Sequence, residues 1–202
     1  MQLCKKEFRR KLLMTFDYRR HKHDNYWLPK IDDYERSLGL TVNANYAAEK
    51  GLGAHQHKQL IGINNRLAKQ LRWYPDRTII TDTFVALQEV KTRLKDTTYK
   101  WAFEIESYNV AQQLTSEGKR VFVIFAPANT LTPVKELKTS WVDQIRFCST
   151  PKENHNGDGS GTLYMLVSEN SSFLKPLSTF LAENFSKKPL IQSKLFGGNE
   201  II

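Results

Sequence analysis

The run Val121-Phe122-Val123-Ile124-Phe125 constrains the fold more than any other part of the sequence. Five uninterrupted apolar residues, three of them β-branched, suit a strand covered on both faces. A second apolar stretch, Phe84 to Lys91, precedes it; between the two, Trp101, Ile105, Tyr108, Val110, Ala111 and Leu114 mark a helix that stops at Gly118. Strand, helix and strand in that order require a crossover within one sheet. The expected class is therefore α/β, with a central sheet flanked by helices.

The remaining pattern fills in around that unit. Phe8, Leu12, Leu13 and Phe16 stand at helical spacing among basic residues, which predicts an amphipathic helix over 5–20. A polar, aromatic segment from His21 to Trp27 closes at Pro29, and a short helix is expected within 31–50, broken near Gly39. Leu60, Ile63, Leu67 and Leu71 predict a helix that ends before Pro75, because a residue preceding proline is pushed out of the helical region. Further strands are expected at Ile145-Arg146-Phe147 and Leu163 to Val167, and a closing helix from Phe173 to Phe185. Glu153 to Gly161 is almost wholly polar, with three glycines, and is expected to be a surface loop rather than a nucleotide-binding turn.

Ahead of the crossover lies a hairpin. Thr78-Ile79-Ile80-Thr81 and Phe84 to Lys91 have strand composition, with Asp82-Thr83 as the tight turn between them. Counting outward from that turn sets Asp76 opposite Glu89. Lys91 lies two residues further and so shares their face, while Val90 points into the core. Opposed carboxylates on one face repel unless something neutralises them. Their oxygens are hard ligands suited to Mg²⁺, and the peptide carbonyl of Val90 can add another. A metal there would polarise a phosphodiester and lower the pKa of attacking water, and Lys91 would orient that water or stabilise charge on the phosphoryl oxygens.

This pattern, Pro75-Asp76, twelve intervening residues, then Glu89-Val90-Lys91, closely resembles the PD-(D/E)xK nuclease superfamily. The resemblance covers about residues 49 to 125. It implies a restriction-endonuclease-like core, metal binding by Asp76 and Glu89, and assistance to hydrolysis from Lys91. It also implies a supporting role for Glu104 and Tyr108, at the positions where many members carry a polar residue four before a Tyr. An acidic residue from the first core helix often supplements the metal site, and Glu49 is the nearest acid upstream. Trp73-Tyr74-Pro75-Asp76, Leu87-Gln88-Glu89-Val90-Lys91 and Gly118 to Ile124 look like the endonuclease subunits of heteromeric transposases, and are similar also to restriction and recombination nucleases. The implied activity is Mg²⁺-dependent endonucleolytic cleavage of DNA, with Mn²⁺ able to substitute, at transposon or recombination ends. Restriction-type and junction or repair cleavage are alternatives.

Charge supports a polyanionic partner. The net charge is +9, and residues 1 to 30 hold nine Lys or Arg against Glu7, Asp17 and Asp24. Such a concentrated excess favours nucleic acid. Arg9, Arg10, Arg19, Arg20 and Lys22 are candidate phosphate contacts, with His21 and His23 in the same patch, and Arg77 and Arg93 are candidates beside the motif. The expected organisation is a basic, mainly helical segment over 1–48 followed by a nuclease-like core over 49–202. Cys4 and Cys148 are too few for a disulfide framework or a zinc-thiolate site. His55-x-His57 lacks further ligands at fitting spacing. No secretory signal or membrane span stands out, so an intracellular, DNA-associated protein is expected, either a homodimer or a partner subunit of a recombination complex. The rival class is a non-catalytic nucleic-acid-binding or partner-binding protein in which Glu89 and Lys91 form an ordinary ion pair. Asp82 is better explained by the turn than as a ligand, Glu106 as surface, and Tyr26, Trp27 and Trp73 as core rather than base-stacking residues.

Overall fold

The computed structural model describes residues 23–45, 63, 65–93, 99–153 and 163–185. A π-helical turn, His23–Trp27, leads into α1, Leu28–Ser37. Pro29 sits in the first turn of α1, where its missing N–H costs nothing. The helix ends at Gly39, whose φ of +80° permits the reverse bonds Gly39 N–H to Arg36 O and Leu40 N–H to Glu35 O. Next come β1, Thr41–Ala44, and α2, Arg66–Arg72, the latter capped by Asn65 Oδ1 on the N–H of Ala68 at 2.8 Å. The helix stops ahead of Pro75, as the proline requires.

The central sheet is built on β2, Arg77–Ile80, and β3, Val85–Thr92. A crossover follows, through β4, Lys100–Glu104, and α3, Ile105–Ser116, to β5, Arg120–Ala126. Strand β6, Lys138–Trp141, and the short β9, Lys175–Pro176, complete a six-stranded sheet in the order β1-β2-β3-β5-β6-β9. Only β3 and β5 are parallel, in register from Ala86↔Arg120 to Thr92↔Ala126; the other pairs are antiparallel. A second sheet of three strands joins β4 to β8, Leu163–Ser168, and β7, Lys152–Glu153. Helix α4, Leu177–Phe185, closes the described chain.

Alternation along β5 explains the layers. Phe122 and Ile124 face Trp27, Ile31, Val42, Ile79, Ala86 and Val90 together with Leu177, Phe180, Leu181 and Phe185, so α1 and α4 cover this side. Val123 and Phe125 face Trp101, Phe103 and Val167 of the small sheet, while Val121 meets Leu87 and the Val110, Ala111 and Leu114 stripe of α3. The protein is thus a mixed α/β fold, a central mixed sheet flanked by helices. Residues 23–45, from the segment expected to be N-terminal and basic, belong to this same sheet and core.

Several boundaries differ from expectation. Trp101 lies in β4 rather than in the helix, because Trp101 and Phe103 both turn inward while Ala102 between them is exposed. Ile145 to Phe147 form no strand; the strand here is β6, followed by a 3₁₀ turn at Val142–Gln144. The C-terminal helix begins at Leu177, after β9. The helix expected over 5–20, Glu49, the His55-x-His57 pair, most of the 56–64 stretch and the glycine-rich segment 157–161 lie outside the described residues.

Candidate active site

The hairpin register is the one the turn dictates: Arg77↔Gln88, Thr78↔Leu87, Ile79↔Ala86 and Ile80↔Val85. Thr81 and Phe84 close it, the N–H of Thr81 donating to Phe84 O at 3.0 Å, and Asp82 lies exposed at the tip. One step beyond the ladder, Asp76 stands opposite Glu89. Pro75 ends the ladder, since it has no N–H and its carbonyl accepts from Asn45 Nδ2 at 3.1 Å. The N–H of Val90 donates instead to Asp76 Oδ2 at 2.7 Å, while the Asp76 carbonyl accepts from Asn45 N at 2.8 Å. Asn45, just past β1, therefore fixes the turn that carries Asp76.

Glu89 is buried, with 7% of its surface exposed. Its Oε1 receives Lys91 Nζ at 2.6 Å and the Ser107 hydroxyl at 3.1 Å. Lys91 Nζ also meets Glu104 Oε2 at 2.8 Å and lies 5.2 Å from the Phe103 ring centre. Glu104 ends β4 and Ser107 begins α3, so the crossover supplies the far wall of the cluster. Burial, reinforced by the neighbouring charge of Asp76, pushes the Glu89 carboxyl well above the usual carboxylate range against the pull of Lys91. Burial also opposes the charge on Lys91, yet Glu104 and Glu89 together raise it above the ordinary lysine range. Lys91, with two carboxylate partners, keeps its proton. Glu89 shares that one cation with Glu104.

Among the described residues, Asp76 Oδ1 and Glu89 Oε2 take no hydrogen bond. Two adjacent carboxylates, each anchored by one oxygen with the other open, and a carbonyl at Val90 between them form a hard oxygen donor set. That set fits a divalent cation such as Mg²⁺, whose shell retains several waters. Among the described residues no group of three or more His, Cys, Asp or Glu side chains is placed to hold a metal, so a cation here would rely on the carbonyl and on water as well.

The other sequence candidates separate clearly. Tyr108 packs edge-on against Phe147 and Phe103, and its hydroxyl accepts from Gln112, so it supports the wall and makes no hydrogen bond to the acids. Arg77 is not a surface phosphate contact. Its position alternates to the opposite face of the sheet from Asp76, where it is 4% exposed, pairs with Glu35 and donates to Leu28 O. Arg93 is likewise withdrawn, stacked 3.6 Å from the Trp101 ring centre and paired with Glu169 at 3.2 Å. Glu35, the buried acid of α1, lies with Arg77 and Gln88 rather than at the cluster. Glu106 is partly exposed and pairs with Lys69 at 3.8 Å. Trp27 is wholly buried. Arg9, Arg10, Arg19, Arg20, Lys22 and Glu49 lie outside the described residues.

Sequence reasoning missed Asn45, Ser107 and the placement of His23. The ring of His23 reaches the cluster, with Nε2 3.0 Å from Val90 O and 3.8 Å from Asp76 Oδ2. No local pattern announces these contacts, since each crosses a long sequence separation.

No family model matches the chain, and no curated protein matches it. Among solved structures it is similar to Hjc, a Holliday junction resolvase from the archaeal hyperthermophile Archaeoglobus fulgidus. The TM-score is 0.46 at 9% identity, over 77% of this chain and 98% of that one. Among the described residues, no helix is long and apolar enough to cross a membrane.

Proposed function

We propose that this protein is a metal-dependent nuclease that hydrolyses phosphodiester bonds in DNA. The observation carrying the proposal is the convergence of Asp76, Glu89 and Lys91 on one face of the hairpin, with open carboxylate oxygens beside a fully charged lysine. A structural ion pair between Glu89 and Lys91 needs neither Asp76 nor those open oxygens.

Asp76, Glu89 and the Val90 carbonyl would hold Mg²⁺ or Mn²⁺. The cation, when bound, supplies Lewis acidity and a more acidic water. Lys91 remains protonated, so it acts as a fixed positive charge for developing phosphoryl charge and as a donor to the attacking water, and it does not act as a base. Glu104 holds the ammonium together with Glu89, and Ser107 donates to the Glu89 carboxylate. DNA is the proposed substrate because of the net charge of +9 and its concentration near the N-terminus.

Cleavage at transposon or recombination ends, restriction-type cleavage, and junction or repair cleavage all use this chemistry. Two-strand cutting would call for a homodimer or a partner subunit. The test uses supercoiled plasmid, linear duplex, a four-way junction and structured RNA with Mg²⁺ or Mn²⁺, each with an EDTA control. Metal-dependent DNA cleavage is expected, falling about 10²–10³-fold or more in Lys91→Ala and Asp76→Ala. DNA binding with no cleavage of any substrate under any of these conditions would favour the non-catalytic binding protein.

A further inference from the structure

Helix α2 carries an apolar edge that the described residues leave uncovered. Ala68 is buried, whereas Leu67 and Leu71 are 64% and 40% exposed, and Ile63, ahead of the cap, is 45% exposed. Ile63, Leu67 and Leu71 recur every fourth position and so form one row, and contiguous large apolar side chains left in water mark a docking surface. Beside the row, between α2 and the end of α3, runs a groove of about 450 Å³ with Leu67, Leu71, Tyr74 and Leu114 as its apolar lining. On its rim Glu117 takes both Arg66 and Lys119, the latter at 2.6 Å, so these cations are largely neutralised in place.

Position and pattern identify the occupant. The described residues begin at His23, whose ring is 3.8 Å from Asp76, and Asp76 lies two residues beyond Tyr74 of the groove. Asp17 to Lys22 is a linker of six residues, spanning about 20 Å when extended, enough to carry the segment before it onto the groove. In that segment Phe8, Leu12 and Phe16 also recur every fourth residue. Rows of this spacing on two helices interdigitate in the commonest mode of helix packing, and an amphipathic helix laid in an apolar groove is a recurring form of recognition. We infer that residues 5–20 dock as a helix on this groove, with Phe8, Leu12 and Phe16 against Leu67 and Leu71. Lys6, Arg10 and Lys11 then point away from the row, as a basic track beside Asp76. The docking does not depend on the nuclease reading above; the use of the track to hold DNA rests on it.

Full-length protein carrying Cys4→Ser and Cys148→Ser receives Leu12→Cys with Leu67→Cys, or Phe16→Cys with Leu71→Cys. The control is Leu12→Cys with Val85→Cys, since Val85 is 53% exposed but lies at the hairpin tip. Circular dichroism selects folded variants. On oxidation with diamide, a disulfide within one molecule is expected in a groove pair, forming at least about tenfold faster than in the control. A bond only between two molecules assigns the groove to a second copy and overturns the docking; so does no bond, or an equal rate in the control. Leu67→Ser with Leu71→Ser changes no charge, yet should lower affinity for a DNA duplex about tenfold at fixed salt, because the track loses its anchor. Unchanged affinity alongside the disulfide overturns the track and leaves the docking standing. Absence of DNA binding by wild type counts against the nuclease reading, while the disulfide still decides the docking.

Discussion

Asp76 and Glu89 are held on one face by the register of their hairpin, and the price is electrostatic. The Asp76 charge is one reason the Glu89 carboxyl is displaced upward. Asp76→Asn removes that charge while keeping an oxygen that can accept the Val90 N–H. In metal-free buffer the variant is expected to gain up to about 1 kcal/mol, roughly 2–4 °C in melting temperature for a chain of this size, while losing cleavage. A lower melting temperature would show that Asp76 contributes more through its hydrogen bond than it costs through repulsion. At this scale the sequence was informative because a two-residue turn leaves one register, and register decides which side chains meet. It was silent on Ser107, Asn45 and the reach of His23. Their partners lie 18, 30 and 67 residues away, and spacing arguments do not extend that far.

Between elements, α1 is joined to β2 and β3 by a buried polar cluster that the function does not use. Glu35 accepts from Gln88 Nε2 and stands 3.7 Å from Arg77 Nη1, close enough for an ion pair but too far for a hydrogen bond, leaving Glu35 Oε2 and Arg77 Nη1 without hydrogen-bond partners among the described residues. Burial is the main reason its carboxyl is pushed up to about 7, with Arg77 and Gln88 opposing. A folded-state pKa above the unfolded value means that the folded chain binds more protons. The contribution of this group to stability is therefore fully present below about pH 4.5, declines as pH rises toward 7, and levels off above it. The displacement corresponds to about 3 kcal/mol. Urea unfolding at pH 5 and pH 8 should show this decline shrink in Glu35→Gln; an undiminished decline would place its source elsewhere. Elements were legible in proportion to their apolar content. The runs that form β3, β5 and β8 announced themselves, whereas β1 and β6, with Thr-Val-Asn-Ala and Lys-Thr-Ser-Trp, carry too few apolar residues to stand out. Trp101 reads as helical in the sequence because its spacing to Ile105 and Tyr108 also fits a helical face, yet it lies in β4.

For the molecule as a whole, charge and fold pull apart. Arg77 and Arg93 serve packing, so the proposed contact with DNA rests on the basic residues at 1–22, eight Lys or Arg against Glu7 and Asp17. Removing residues 1–22 should weaken duplex binding and flatten its dependence on salt, by roughly 0.9 in the log–log slope for each phosphate that is no longer neutralised. Fluorescence anisotropy across a salt series measures that slope, and an unchanged slope would assign DNA binding to the sheet domain. The crossover itself was legible, because two buried strands around a helix admit few other connections. It also sets the order of events when the chain folds. Glu104 and Ser107 are supplied by the crossover, so Lys91 lacks its second acid and Glu89 lacks its hydroxyl until β5 has docked beside β3. Such non-local pairings form slowly. A chain caught partway through synthesis or unfolding therefore lacks the completed cluster around Glu89 and Lys91, and under the proposed function competence to cleave would arrive together with the completed fold.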